Sequence, residues 1–546
     1  MNISRIIILL CAIVMFSGLS ITAQLKLQNG DLYMGPEIKS NKKGTLEDIV
    51  GMDEDGYYMI RAEPQKFYLE KYDHDLNLVK SEKIELGKGS DRKYMEFAEQ
   101  LDGEIYLFTS QYNPSVKQKV LFAERIDRQT LKPESDPIQV AAFSYRSRSN
   151  DGFFDYNLSR DSTKMMIYHN TPYQGNTGEK FGLSMFDSQL NLLWSKELEL
   201  PFKDKLYEVE RYKVDNHGNA YLLGIVYKGQ VRVKRQGRPN YEYHLLSYNQ
   251  DDQYEEYLLN LKDKFITDMQ FEISSRGEII CAGFYSELGT SSIRGTFYLL
   301  IDAKTKEIRK EYYQEFDASF LVDFMSEKRA GKGKELVQYN LNQLEIRRDG
   351  GVVLIAEQVY IKQLQDYNNY NRYLSQYYYS RYYYPSFYSY GRYPYGNYRY
   401  PYMNDDSEVQ FNYNDIIVIN IRPNGTIQWA KRIPKRQRSK NDGGRYSSYA
   451  LSIAKGKMFF VFNDNPKNLH KQSNDLKIYN YTKGKESVVV LVTLDGKGET
   501  KKEPLFQVRD TKTTTKPKVC EQISRNQMII YSERNKKVNF ARLTFK

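Results

Sequence analysis

A stretch of fifteen residues recurs in this chain and limits what it can fold into. YDHDLNLVKSEKIEL (72–86) returns as FDSQLNLLWSKELEL (186–200), with seven of the fifteen positions identical. The offset of 114 residues is twice 57, and hairpin-like segments recur at a similar spacing along the chain. Self-similarity at a fixed period indicates a repeat architecture in which each repeat is one supersecondary unit.

Each repeat unit is predicted to consist of β-hairpins. Eight segments, among them MEFAEQLDGEIYLFT and YKVDNHGNAYLLGIV, combine a short strand, a tight turn and a more apolar strand. Turns of the D-G, H-G and R-N kind supply the positive φ angles that two-residue hairpins need. A second hairpin follows each of the first seven, so seven units hold four strands. The eighth unit, which ends in VNFARLTFK, holds three.

Four-stranded units repeated in a ring are the blades of a β-propeller, which protects its sheet edges by radial closure. We therefore predict an all-β propeller with eight blades, and with seven as the alternative if a terminal unit packs elsewhere. The segment QLKLQNGDLYMG can supply the strand that the last blade lacks, so that N- and C-terminal strands close the ring. Two separate β-sandwiches would be the competing architecture, but no Pro/Ser/Gly-rich linker divides the repeats.

The N-terminus predicts export. Residues 1–23 contain one positive charge, an apolar run that starts at Ile6, and small residues before the expected cut, which is the pattern of a secretory signal peptide. The run is shorter than the ~20 residues of a bilayer span, and no second apolar stretch follows. We expect residues 24–546 to form one propeller domain without a transmembrane span. It would act in the periplasm, at the outer membrane or outside a Gram-negative-type cell.

A tyrosine- and arginine-rich insertion interrupts the sixth unit at residues 366–406. Between Tyr367 and Tyr402 there are sixteen tyrosines, four arginines and no acidic residue, and six of the ten residues in KRIPKRQRSK (431–440) are basic. Tyrosine offers a flat apolar ring with a polar tip, and arginine stacks on such rings while it pairs with anions. A low-complexity loop without a specific role is the alternative. The candidate binding residues are Tyr377, Tyr378, Tyr379, Arg381, Tyr382, Tyr383, Tyr384, Arg392, Arg399, Arg436, Arg438 and Lys440.

The position of this insertion suggests which face of the propeller binds a partner. If the four strands of a blade are called a to d, the a–b and c–d turns lie on one face and the b–c and d–a connections on the other. The longer connections are b–c and d–a, and the d–a connections are rich in lysine and arginine. Functional residues tend to lie on long loops of a rigid scaffold, and several basic loops on one face attract an anionic partner. The expected partners are an envelope protein assembly or an anionic glycan or lipid surface, while export disfavours nucleic acid.

The two tryptophans occupy the same position in two units. Trp194 in LLWSKEL and Trp429 in IQWAKRI each follow a turn in the last strand of a blade. This arrangement resembles the repeat of quinoprotein-like (PQQ-dehydrogenase-like) propellers, and the resemblance implies that each tryptophan docks between blades. Enzymes of that group also carry a vicinal pair of cysteines, which this chain lacks, so their activity is not expected here.

The sequence contains no recognisable catalytic motif. There is no G-x-S-x-G, H-E-x-x-H or phosphate-binding loop, and the histidines have no partners at metal-ligand spacing, so no catalytic residue, cofactor or metal is predicted. His217 and His470 are interpreted as loop residues. Cys281 and Cys520 are expected to be buried free thiols rather than a disulfide.

Two functions are compatible with these observations. The first is a non-catalytic exported propeller that binds a partner or an anionic envelope component through its basic, tyrosine-rich face. The second is a secreted lyase or hydrolase that acts on a polyanionic polysaccharide. The enzyme would require acids, tyrosines or histidines clustered near the propeller axis, whereas a funnel lined only by lysine, arginine and neutral groups would favour the binding protein.

Overall fold

The computed structural model describes most of the chain after the expected leader. The described residues are 24–546 except 40–43, 65, 148–150, 173–175, 232, 252–253, 262–263, 275, 303, 306, 364–408, 482–483 and 485. Within them the protein is almost entirely β, and all paired strands of the sheets are antiparallel. The helical segments span one turn each: α1 (Ala318–Leu321), α2 (Glu327–Ala330) and α3 (Val508–Thr511). The prediction of an all-β protein is confirmed.

Three short strands begin the described chain, and the first four blades follow in order. The opening strands are β1 (Gln24–Leu27), β2 (Gly30–Met34) and β3 (Ile38–Lys39). The first two blades are β4 (Thr45–Asp53), β5 (Gly56–Glu63), β6 (Lys66–Tyr72), β7 (Leu78–Lys83), and β8 (Lys93–Leu101), β9 (Glu104–Asn113), β10 (Gln118–Ile126), β11 (Ile138–Ser144). The third is β12 (Phe153–Leu158), β13 (Lys164–Asn170), β14 (Gly178–Asp187) and β15 (Leu192–Lys203). The fourth is β16 (Tyr207–Val214), β17 (Ala220–Tyr227), β20 (Tyr241–Tyr248) and β21 (Tyr254–Leu259), with the small ribbon β18 (Lys234–Arg235) and β19 (Arg238–Pro239) between its middle strands.

Blades five to seven repeat the pattern with additions. The fifth is β22 (Phe265–Ile273), β23 (Ile279–Ser286), β25 (Gly295–Ile301) and β26 (Ile308–Glu315), and β24 (Ser292–Ile293) pairs with β27 (Leu336–Val337) beside it. The sixth is β28 (Tyr339–Ile346), β29 (Val352–Gln363), β30 (Val409–Ile421) and β31 (Ile427–Ile433), and β32 (Gln437–Lys440) pairs with β30. The seventh is β33 (Ala450–Ala454), β34 (Lys457–Asp464), β35 (Val488–Leu494) and β36 (Thr500–Gln507).

The last sheet combines the two ends of the chain. Its C-terminal strands are β37 (Thr514–Thr515), β38 (Glu521–Ser524), β39 (Gln527–Arg534) and β40 (Lys537–Phe545). Strand β2 pairs along β40, from Gly30 opposite Phe545 to Met34 opposite Ala541, and β1 adds outside β2. The predicted closure by N- and C-terminal strands is therefore confirmed. Seven four-stranded blades come from one continuous segment each, which agrees with the seven-bladed alternative, and the composite sheet closes the ring between the seventh blade and the first.

Buried apolar clusters join neighbouring sheets into a closed ring. In the described part of the chain, eight such clusters each span one pair of adjacent sheets. The composite sheet contacts the seventh blade through residues such as Leu543 and Phe459, and the first blade through Phe540 and Tyr57. The first strands of adjacent blades contact one another, whereas many side chains of the fourth strands are exposed to solvent. The first strands therefore face the axis of the ring, and the fourth strands form its outer rim.

Local turn chemistry explains why the repeats were visible in the sequence. In the second blade Asp102 and Gly103 both have positive φ (48° and 82°), as a tight two-residue hairpin turn requires. In the repeated Asp-x-x-Leu-Asn segment, the Asp187 carboxylate accepts hydrogen bonds from the backbone and side chain of Asn191, and Leu190 takes a positive φ of 61°. Asp73, Leu76 and Asn77 repeat this arrangement in the first blade.

The tryptophans and cysteines take structural positions. The indole N–H of Trp194 donates to the carbonyl of Gly218, and that of Trp429 donates to the carbonyl of Gly496, each 3.0 Å away in the following blade. The expected docking between blades is thus present at both positions. Both cysteines of the described chain are free thiols as predicted; Cys281 is buried, whereas Cys520 is half-buried, and desolvation raises the pKa of Cys520 to about 12. No helix among the described residues is long and apolar enough to cross a membrane.

Candidate functional site

The b–c and d–a connections end on the same side of the ring, which we call the loop face. Because neighbouring strands are antiparallel, all connections of these two kinds emerge together, and the a–b and c–d turns emerge opposite them. The longest connections that are wholly or mostly described, residues 316–338, 465–487 and 434–449, lie on the loop face. The prediction that the long connections share one face is confirmed.

Exposed cations are distributed around the loop face. The d–a connections in the described chain and the strand ends beside them carry Lys88, Arg92, Arg146, Lys203, Lys205, Lys328, Arg329, Lys332, Lys334, Arg436, Arg438, Lys440, Arg509 and Lys512, all exposed. Exposed acids on the same connections are fewer and include Asp91, Glu327 and Asp510. A surface with this excess of one sign raises the local concentration of oppositely charged ligands.

The basic segment 431–440 does not act as one solvated patch. Arg432 is buried, and its guanidinium lies 2.9 Å from the Asp415 carboxylate. The same group donates to the carbonyls of Asp323, Ser473 and Asp475 at 2.7–2.9 Å. Arg432 therefore fastens two connections of the loop face to strand β30 instead of facing a ligand.

Lys435, in the same segment, is also internal. Its ammonium donates to the Glu357 carboxylate at 2.5 Å, and both side chains are fully buried. Gln437 accepts a second hydrogen bond from Lys435, and the Ser448 hydroxyl donates to the other oxygen of Glu357. Burial lowers the pKa of Lys435, whereas the nearby Glu357 raises it. The sequence showed the charge of this lysine but not its partner.

The three predicted cations outside the insertion remain exposed. Arg436, Arg438 and Lys440 alternate along the chain with Gln437, which is buried, and the half-buried Ser439. Strand β32 pairs with residues 410–413 of β30, so these cations lie beside the base of the Tyr/Arg-rich insertion. The other candidates, Tyr377, Tyr378, Tyr379, Arg381, Tyr382, Tyr383, Tyr384, Arg392 and Arg399, lie outside the described residues, as do residues 1–23.

The inner strands carry polar residues at β-bulges, which the sequence did not reveal. The pairing register shifts by one residue in the first strand of blades one, two, four, five and six. The extra residues there are the polar Glu47, Glu96, Glu210, Thr267 and Asn342, and blade one has a second shift at the apolar Val50. Bulges redirect side chains and are frequent next to functional sites. Acidic groups are therefore present on the axial strands, as the enzyme hypothesis requires.

Burial raises the pKa of four inner-strand carboxyl groups, Glu47, Glu96, Asp155 and Glu345. Glu96 accepts a hydrogen bond from the Ser110 hydroxyl at 2.5 Å and lies 3.6 Å from the ammonium of Lys119, yet burial raises its pKa. Asp155 accepts a hydrogen bond from the Tyr212 hydroxyl. Burial raises the pKa of Asp155 to about 6, with a contribution from the negative charge of Glu96. A carboxyl group with that pKa exchanges its proton close to neutral pH.

Other polar side chains on the inner strands form ion pairs and hydrogen bonds with one another. Arg211 lies 3.5 Å from the Asp268 carboxylate and donates to the carbonyls of Met269 and Leu341, both at 3.3 Å. Asp268 accepts a hydrogen bond from the backbone N–H of Leu341 at 2.7 Å. Arg211 thus joins inner strands of blades four, five and six, and this part of the axis is held together by the protein's own hydrogen bonds.

The histidines divide into exposed and buried groups. His217 and His470 are exposed connection residues, as interpreted from the sequence. His169 and His244 are buried, and each approaches a glutamate, Glu197 and Glu256 respectively. Across the described ranges, no three His, Cys, Asp or Glu side chains form a group that could hold a metal ion.

Comparison with known proteins gives only distant similarities. No protein-family model matches the sequence, and no curated protein matches it. Among solved structures, the chain is similar to an α-L-arabinanase of Penicillium chrysogenum complexed with arabinobiose, with 11% identity, 59% of this chain and 93% of that chain covered, and a TM-score of 0.29. An acylaminoacyl peptidase of Pyrococcus horikoshii aligns with 10% identity over 90% of this chain and 58% of its own, with a TM-score of 0.33. Similarity at this level assigns no function, and the resemblance to quinoprotein-like propellers gains no family support.

Proposed function

We propose that this protein is an exported, non-catalytic β-propeller whose loop face binds an anionic component of the cell envelope. The observation that carries the proposal is the set of exposed cations on the d–a connections, described above. Arg432 and Lys435 are neutralised by internal carboxylates, whereas Arg436, Arg438 and Lys440 are exposed beside the base of the insertion. The cations left for a ligand are therefore those that face solvent on one side of the ring.

The proposed location follows from the leader pattern in residues 1–23. Expression of the full chain in a Gram-negative host, followed by cell fractionation and N-terminal sequencing, tests it. We expect the protein outside the cytoplasm with Gln24 as its first residue. Cytoplasmic protein that retains residues 1–23 would contradict export.

The binding proposal is tested by reversing charge on one face at a time. The variant Arg436→Glu/Arg438→Glu/Lys440→Glu changes three cations on the loop face. The matched control, Lys304→Glu/Lys455→Glu/Lys497→Glu, makes the same charge change at exposed a–b and c–d turn positions on the opposite face. Retention on envelope fractions and on a dextran sulfate resin is measured at low and high salt. We expect retention at low salt to fall at least about a hundredfold for the loop-face variant, because roughly 1 kcal/mol of attraction is lost at each of the three cations. The loss should be smaller at high salt, where the charges are screened.

The two variants must differ for the proposal to stand. Equal loss in both would show that net charge alone determines retention. No loss in either would show that the loop face does not bind the envelope. Melting temperatures of both variants should stay near that of the parent, because the substituted side chains are exposed.

A second candidate function is favoured by the axial carboxyl groups. A lyase or hydrolase acting on a polyanionic polysaccharide needs acids and tyrosines near the axis, and Glu96, Asp155 and Tyr212 meet that requirement. Depolymerisation of a panel of acidic polysaccharides by the parent protein, abolished in Asp155→Asn, would replace the non-catalytic proposal. Absence of turnover across the panel, together with loop-face retention, supports the binding protein.

A further inference from the structure

A cleft opens on the loop face between the outer strand of blade two and blade three. Its volume is about 580 Å³, within the range of small-molecule sites. The lining combines hydroxyl, amide, aromatic and charged side chains, namely Gln118, Ser144, Tyr145, Thr171, Phe143, Arg146, Lys180 and Glu197, with Ala142 and Pro172. The cleft is therefore polar and is not a gap in the apolar packing between blades.

One wall of the cleft depends on a glycine, which leaves space for a neighbouring side chain. His169, Gly182 and Glu197 lie opposite one another on three successive strands, β13, β14 and β15. A Cβ on Gly182 would lie 2.0 Å from the His169 ring. Only glycine at this position therefore leaves room for the imidazole to lie over strand β14 and reach Glu197. His169 is 2% exposed, and its Nε2 lies 3.3 Å from the carboxylate of Glu197. The buried histidine thus holds a glutamate whose side chain is 66% exposed at the cleft.

The aromatic wall is also fixed from behind. Phe143 stacks on His169 with ring centroids 5.3 Å apart, and it packs against Phe154 at 4.8 Å. Tyr145 meets Tyr112 edge to face at 5.0 Å. Rings held in this way offer a preformed apolar surface, which lowers the ordering cost of binding a flat ligand.

The charged groups of the cleft have opposite signs. Arg146 is exposed, and Lys180 is partly exposed with its ammonium 3.2 Å from Glu199. Glu197 brings a carboxylate to the same space. Cations bind an anionic group, and a carboxylate can only accept hydrogen bonds. The cleft is thus complementary to a ligand that carries both an anion and hydroxyl donors.

We propose that this cleft binds an acidic saccharide, a chain of hexuronate residues, and this inference rests on the proposed anion-binding role of the loop face. The sugar carboxylate contacts Arg146 and Lys180, and hydroxyl groups donate to Glu197. The apolar side of a sugar ring lies on Tyr145. A free sulfate carries no hydroxyl that could donate to Glu197, and a neutral sugar carries no carboxylate for Arg146 and Lys180.

The inference is tested by calorimetric titration of the full mature chain. The ligands are tetramers of galacturonate, glucuronate and mannuronate, with neutral galactotetraose as the comparison. We expect at least one uronate tetramer to bind with a Kd below 1 mM and galactotetraose to bind at least about tenfold more weakly, because charge-assisted hydrogen bonds are the stronger ones. Arg146→Gln and Glu197→Gln should each weaken uronate binding about tenfold.

The control is another pair formed by a buried histidine and a more exposed glutamate. In Glu256→Gln the affected carboxylate bonds His244 at 2.6 Å, but neither residue lines the cleft. This variant should bind uronate like the parent. Equal weakening by Glu256→Gln and Glu197→Gln, or no uronate binding by the parent, would overturn the inference.

The outcome also separates this inference from the proposed function. If only the loop-face charge reversal lowers retention by envelope fractions but the parent binds no uronate tetramer, the cleft inference fails and the loop-face proposal stands. If uronate tetramers bind through Arg146 and Glu197 while the loop-face charge reversal leaves retention unchanged, the cleft stands and the wider proposal fails.

Discussion

The buried ion pair between Lys435 and Glu357 gives the sharpest stability prediction. The change is Lys435→Met, which keeps an unbranched side chain of similar length and removes the charge. The Glu357 carboxylate then remains fully buried with the Ser448 hydroxyl as its described side-chain donor. Removing one partner of a buried pair costs about 3–5 kcal/mol because the remaining charge stays out of water. We expect a loss of unfolding free energy in that range.

The matched control is an exposed ion pair. Lys228 lies 2.6 Å from Glu242, but its side chain is 52% exposed. Solvent screens this pair, so Lys228→Met should cost less than about 1 kcal/mol. The unfolding free energies of both variants are measured by urea unfolding at 25 °C, with tryptophan fluorescence as the signal. Trp429 lies in the same blade as the buried pair.

The partner variant adds a pH test. In Glu357→Gln the buried amine loses the carboxylate that raises its pKa, so the pKa of Lys435, already lowered by burial, falls further. Between that pKa and the unfolded value near 10.4, the unfolded chain binds more protons than the folded one. Stability therefore rises with pH in that window, and the deficit of Glu357→Gln should shrink from pH 7 to pH 10. A Lys435→Met variant as mild as Lys228→Met, or a deficit of Glu357→Gln that grows with pH, would refute the reasoning.

Three further predictions follow from the fold. Deleting residues 537–546 removes the partner of β2 and should abolish soluble protein, whereas deleting residues 24–27 should be mild; a soluble, monomeric C-terminal truncation on gel filtration would contradict the closure. Replacing residues 366–406 with a short Gly-Ser turn should leave the melting temperature nearly unchanged, because Gln363 already pairs with Val409 at the base of the insertion and loop length adds little entropy; unfolding of this variant would show that the insertion is core. Asp155→Asn should remove a pH dependence of the unfolding free energy. The folded carboxyl has a pKa of about 6 and binds more protons than the unfolded one above pH 4, so the parent loses stability from pH 4 to pH 6. A variant whose stability falls in parallel with that of the parent would count against this assignment.

Features encoded by local chemistry could be predicted from the sequence. The hairpin turns need residues that accept positive φ, and Asp102-Gly103 shows such residues directly. The spacing of the hairpins gave the blades, and the unpaired strand in the last unit gave the closure by residues 30–34. These features depend on a few adjacent residues or on a count of strands, and both can be read along the chain.

Features that depend on register or distant partners could not be predicted. Lys435 looked like part of a solvated basic segment because its partner Glu357 lies 78 positions away. The polar bulges at Glu47 and Glu96 depend on a one-residue shift against the next strand, which hydrophobic patterning does not encode. His169 and Glu197 are 28 positions apart and meet only because Gly182 leaves room between them. A glycine inside an otherwise regular strand was the one local signal of that site.

The composite last sheet has a consequence for how the protein reaches its folded state. Gly30 pairs with Phe545, so a strand at the start of the described chain finds its partner only when the final residues are available. Until then the first and seventh blades each lack a neighbour, and apolar side chains such as Tyr57 and Phe459 remain uncovered. Contacts of such high sequence separation form late and slow the folding rate. The ring therefore closes only after β40 has been synthesised, and the exposed strand edges must be kept from pairing with other chains until then.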